Sequence, residues 1–137
     1  MRIERVKLHN FRIYRGDNEV ILHDHESRNI SLIAGKNGFG KTTFLTSLIW
    51  VLYGNLMSQV EDKYRVDIKS AGGYEKFVER LLNRSVKYDF ENENTGTPQF
   101  NVEVHLVDVL IPSIPCRKVV VRRSYDLRSR KEKLEIL

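Results

Sequence analysis

The chain has 137 residues, 41% hydrophobic and 30% charged, which suits one folded domain with a core and excludes a disordered polar chain. No run of apolar residues is long enough for a membrane-spanning helix, the start has no apolar signal region, and the single cysteine, Cys116, excludes an internal disulfide. A cytoplasmic protein without membrane contact is expected. The net charge of +5 is local: residues 117–137 hold 8 basic and 3 acidic side chains, leaving 15 of each in residues 1–116. That C-terminal segment is either solvated surface or a patch that attracts phosphate backbones.

Along the chain, Val6 and Leu8 alternate with polar neighbours and predict a half-buried strand over Arg5 to Phe11. Arg15-Gly16-Asp17-Asn18 reads as a turn, and Glu19 to Leu22 as a short second strand. Ile30 to Ala34 is a short apolar strand running into Gly35. Lys41 to Tyr53 has no Gly or Pro and stops at Gly54, which predicts a helix. Its apolar residues (Phe44, Leu45, Leu48, Ile49, Leu52, with Trp50, Val51 and Tyr53) surround most of the axis, as in a helix buried between layers. Residues 55–98 form a polar insert: Leu56 to Gly73 as loop, Tyr74 to Asn83 as an amphipathic helix, and Arg84 to Pro98 as a polar stretch. Strands are expected at 100–109 and 118–125, and the tail from Asp126 suits a helix or a strand equally.

Gly35-Lys36-Asn37-Gly38-Phe39-Gly40-Lys41-Thr42 fits G-x-x-x-x-G-K-[ST] without departure. Glycines let such a loop curl around a phosphate with its amide groups pointing inward, and the helix that follows offers its positive end to the same anion. Lys41 is expected on the β- and γ-phosphates and the Thr42 hydroxyl on a magnesium ion. Chance would produce this pattern in well under ~1% of chains of this length. A strand before it and a helix after it supply the context the pattern requires. ATP with magnesium is therefore the expected ligand.

The opening Ile3-Glu4-Arg5-Val6-Lys7-Leu8-His9-Asn10-Phe11-Arg12 resembles the first strand of the SMC, RecF, RecN and double-strand-break-repair ATPases. The loop and helix from Gly35 through Thr42 and Thr43 to Leu45, the ending Leu52-Tyr53-Gly54, and the segments Val102 to Leu106 and Val119 to Ser124 resemble the same group. Within it, Leu81-Leu82-Asn83-Arg84 and Arg122-Arg123-Ser124-Tyr125 are most similar to DndD-like ATPases, which are associated with DNA phosphorothioation. The resemblance implies an α/β phosphate-loop NTPase, the N-terminal lobe (residues 1–137) of an ABC-type head, with a mixed sheet and antiparallel strands. Such heads pair with a C-terminal lobe, dimerise with a second head around two ATP molecules, and act on DNA. The resemblance also places Arg12 and Ile13 beside the nucleotide.

A complete head carries a Q-loop glutamine, a Ser-Gly-Gly signature and an apolar strand ending in Asp-Glu. The chain contains no Ser-Gly-Gly, and Val104-His105-Leu106-Val107-Asp108 fails as the acidic strand because Val109 follows Asp108. The expectation is nucleotide binding with negligible hydrolysis by these residues alone, in an N-terminal piece of a longer ATPase. His23-Asp24-His25 lacks a third metal ligand and reads as solvated loop, and Cys116 has no catalytic histidine in view. The alternative of another class is a nucleotide-dependent interaction module that never hydrolyses ATP. A small kinase or GTPase is disfavoured by the early strand pair and by the absence of Asn-Lys-x-Asp.

Overall fold

Alternation of side chains between two faces makes Arg2–Phe11 a strand, β1, with Val6 and Leu8 fully buried on one face and Arg5, Lys7 and His9 on the other. The computed structural model describes residues 1–22, 41–109 and 118–137. In it β1 pairs with β2 (Tyr14–Ile21) and with β3 (Gln99–Val107), which continues to β4 (Lys118–Asp126) and β5 (Lys131–Ile136). The order is β2-β1-β3-β4-β5 and every described pairing is antiparallel. The strand expected at Ile30 to Ala34, which would make the sheet mixed, lies outside the described residues.

The turn expected at Arg15 to Asn18 is instead strand. The chain reverses at Arg12 and Ile13, and Gly16, at φ +72°, sits inside β2. The reason is a register shift between His9 and Phe11, which Asn10 stabilises by accepting the Gly16 amide at 2.8 Å. Gly16 accommodates that irregularity rather than a reversal.

The helix expected at 41–53 is α1, Lys41–Tyr53. Its buried stripe is Phe44, Ser47, Trp50 and Val51, whereas Leu45, Leu52 and Tyr53 are 51%, 42% and 46% exposed. Burial between layers is thus corrected: among the described residues Leu45, Leu52 and Tyr53 are exposed and one face of α1 is covered. That face closes an aromatic cluster in which the Trp50 and Phe100 ring centres lie 5.1 Å apart, Phe11 and Phe100 5.9 Å, and Phe100 and Tyr125 5.7 Å.

The insert is more ordered than its polarity suggested. After a 3₁₀ segment at Gly54–Gln59 comes α2 (Asp62–Ala71), whose apolar stripe is Tyr64, Ile68 and Ala71 at helical spacing. It stops at Gly72, at φ +100°, with the Gly72 amide on the carbonyls of Ile68 and Lys69. Helix α3 covers only Tyr74–Glu79, because Leu82 leaves the helical path to form a β-bridge with Phe11. Arg84–Glu93, expected as a polar stretch, is α4. Asn83 caps it, accepting the amides of Ser85 and Val86 at 3.1 and 3.2 Å. The tail resolves as β5.

The sheet face away from α1 is polar. Glu103 stands at its centre, accepting from Arg122 Nε at 2.8 Å, with His105 Nε2 at 2.7 Å. This settles the strand that failed as an acidic motif: Glu103 and His105 belong to a polar sheet face, and Asp108 ends the strand at φ +55°.

Candidate functional site

Gly35, Lys36, Asn37, Gly38, Phe39 and Gly40 lie outside the described residues, as do His23-Asp24-His25 and Cys116. Lys41, Thr42, Thr43 and Arg12 lie within them. Lys41 opens α1, Lys41 and Thr42 are exposed, and Thr43 is buried. The first turn of α1 contains no acidic side chain, so nothing within it offsets the positive end of the helix.

Arg12 is brought to this turn by backbone contacts. It stands at φ +48°, a region that non-glycine residues seldom occupy, and Asn10 two residues earlier is at +52°. The Arg12 amide donates to the Leu81 carbonyl at 2.7 Å, and Asn83 Nδ2 donates to the Arg12 carbonyl at 2.6 Å. The Asn83 amide in turn donates to the Asn10 carbonyl at 2.8 Å. Asn-Phe-Arg and Leu-Leu-Asn-Arg, 71 residues apart in the chain, are therefore one structural unit.

Between that unit and α1 lies a cleft of about 580 Å³ lined by Arg12, Ile13, Thr43, Arg80, Leu82, Asn83, Arg84 and Ser85. Its volume is in the range of small-molecule sites. Among the described residues three arginines line it and no acidic residue does. Burial lowers the Arg12 pKa from its usual value, against the opposing influence of Asp67 and Tyr64. The Asp67 carboxylate therefore offsets part of the cost of burying this cation.

Arg80, Asn83 and Arg84 were not marked as site residues by sequence reasoning. Their signals were an apolar pair flanked by cations in Arg80-Leu81-Leu82-Asn83-Arg84 and the resemblance of Leu81-Leu82-Asn83-Arg84 to DndD-like ATPases, neither of which marks a site. Arg15 is drawn to the same corner, with Nη1 donating to Ser85 Oγ at 2.7 Å and Nη2 on Asp89 at 3.0 Å. Among the described residues no group of acidic, histidine or cysteine side chains is placed to hold a metal ion, and no helix is long and apolar enough to cross a membrane.

An α/β fold in which a Lys-Thr-Thr turn opens the helix packed on an antiparallel sheet points to an ATPase-type domain, and comparison with known families agrees. The family model described as "AAA domain" (AAA_23), an ATPase domain of SMC-like type, matches residues 5–136. The chain belongs to that family. No curated protein gives a significant match.

Proposed function

We propose that the chain binds magnesium-ATP at the N-terminal end of α1, as the nucleotide-binding lobe of a DNA-associated ATPase of the SMC and DndD-like type. The observation that carries this reading is the cleft, lined among the described residues by three arginines and no acid, which meets the first turn of α1 at the end of the Gly-x-x-x-x-Gly-Lys-Thr sequence. In this reading residues 35–40 cradle the phosphates with backbone amides, and Lys41 adds a point charge. Arg12, Arg80 and Arg84 provide further cationic groups for the polyanion from the opposite wall. The hydroxyl of Thr42, a hard oxygen donor of the kind magnesium takes, would hold the ion beside the nucleotide. The chemistry such an ion would supply is neutralisation of phosphate charge.

No apolar strand ending in Asp-Glu is found in the sequence, so in this reading the turnover step needs residues from outside these elements. A C-terminal lobe and a second head are the proposed partners, since Leu45, Leu52 and Leu56 present apolar surface beside the nucleotide-binding helix. The deciding experiment is calorimetric titration of magnesium-ATP into the wild-type chain, Lys41→Ala and the double variant Arg80→Ala/Arg84→Ala, with phosphate release monitored in parallel. Binding by the wild type, its loss in Lys41→Ala and about tenfold weakening in the double variant are expected, without turnover. Absence of binding by the wild type would overturn the reading.

A further inference from the structure

The far end of α1 is held by side chains from the sheet and from α3. Arg123 on β4 is only 8% exposed, and its Nε donates to the carbonyl of Val51, in the last turn of α1, at 3.3 Å. Its Nη1 lies 3.0 Å from Glu132 Oε2 on β5, and its guanidinium carbon is 6.0 Å from the Trp50 ring centre. The Tyr74 hydroxyl donates to the same Glu132 carboxylate and receives Trp50 Nε1 at 3.2 Å. Gly54 leaves the helix at φ +54°, and a Cβ there would stand 2.6 Å from Arg123 Nη1. Nothing larger than glycine fits while the guanidinium stays in place.

A cation at this position meets a last-turn carbonyl and the negative end of the helix. Burying it is costly, and for packing alone a well-fitted apolar side chain serves as well or better. What apolar contact does not provide is direction. Two hydrogen bonds and a ring face fix the helix end both along its axis and about it. Helix α1 has 13 residues and is therefore about 20 Å long, and its own hydrogen bonds carry a displacement of one end to the other.

We infer that Arg123, oriented by Glu132, is a positioning residue for the phosphate-binding end of α1, holding Lys41 and Thr42 in register with the arginine cleft from the opposite end of the helix. The inference rests on the magnesium-ATP reading above. Misplacement of binding groups by about 1 Å is enough to cost large factors in function, so a loosened far end should be visible at the near one.

The test is calorimetric titration of magnesium-ATP into the wild-type chain, Arg123→Met, Arg123→Lys and Glu132→Gln, at a temperature where circular dichroism shows each folded. Arg123→Met is expected to raise Kd about tenfold, Arg123→Lys to recover part of that loss, and Glu132→Gln to weaken binding in the same direction. A merely structural role lowers the melting temperature and leaves the Kd of folded protein unchanged. An Arg123→Met protein that binds as tightly as wild type overturns the inference. Should Arg123→Met fail to fold, Glu132→Gln decides, and a wild-type Kd in that variant overturns it equally. A wild-type chain that binds no magnesium-ATP is a different result, which removes the reading at Lys41 and this inference with it.

Discussion

Asn10 and Arg12 stand at φ +52° and +48°, in a region costing non-glycine residues about 1–3 kcal/mol each when the surroundings do not compensate. Here the surroundings over-determine the conformation, because Leu81 and Asn83 hold both ends of the Arg12 peptide unit. The resemblance of Asn-Phe-Arg to a known strand ending was legible in the sequence, but its cause was not. Backbone atoms make these contacts, and backbone atoms are the same for every residue type. Glu103 was equally hidden, since alternation marked a polar face without naming a centre.

Burial alone pushes the Glu103 carboxyl upward, yet hydrogen bonds from His105 and Arg122 outweigh it and hold its pKa below the usual value. A carboxyl depressed in the folded state adds stability that is present above its unfolded pKa, about 4.3, and is lost as pH falls through the folded value. Glu103→Gln should therefore flatten the acid limb of stability below about pH 4.3, as measured by urea melts across pH. An acid limb as steep as that of wild type would show that Glu103 contributes nothing to it.

At the scale of elements, the clearest periodic signals were the reliable ones. Lys41–Tyr53 and the strands at β3 and β4 fell where pattern placed them, within one or two residues. The helices α2 and α4 were missed for a common reason. Each carries few buried residues (Tyr64 and Ala71 in one, Val86 in the other) among many charged ones, so polarity masked the spacing. Burial of helix α1 failed differently: a helix apolar around most of its axis gives little sign of which side is covered. Because Leu45 and Leu52 are exposed, Leu45→Glu/Leu52→Glu should change stability by no more than about 0.5 kcal/mol per site. Thermal melts of the double variant check this. A large loss would mean that the exposed face is covered within the chain itself.

At the scale of the whole molecule, the excess positive charge gathers in and beyond β4, where Arg130 and Lys131 at the start of the last hairpin strand are exposed. If this surface meets duplex DNA, as proposed, binding must weaken with salt in proportion to the phosphates neutralised. Arg130→Gln/Lys131→Gln should then lower the slope of log K against log salt by about one to two. Fluorescence anisotropy with a labelled duplex, with and without magnesium-ATP, measures it. An unchanged slope would remove these two residues from any DNA-binding surface. The basic segment and the α/β character were open to sequence reasoning because each is local or compositional. The arginine cleft was closed to it, since it assembles from residues 12, 43, 80 and 84, which only the fold brings together.

The sheet order also bears on synthesis. β1 lies inside the sheet, between its immediate successor β2 and β3, so Arg2 waits for Val107 as its partner. On a ribosome adding ~5–20 residues per second, the β1–β2 hairpin holds an open edge for several seconds before that partner emerges. During that interval its unpaired amides and carbonyls are a template for any other strand nearby. Nascent chains of this protein are thus most vulnerable to mispairing while the helices of the insert are being made, which is when a chaperone that shields strand edges would raise its yield.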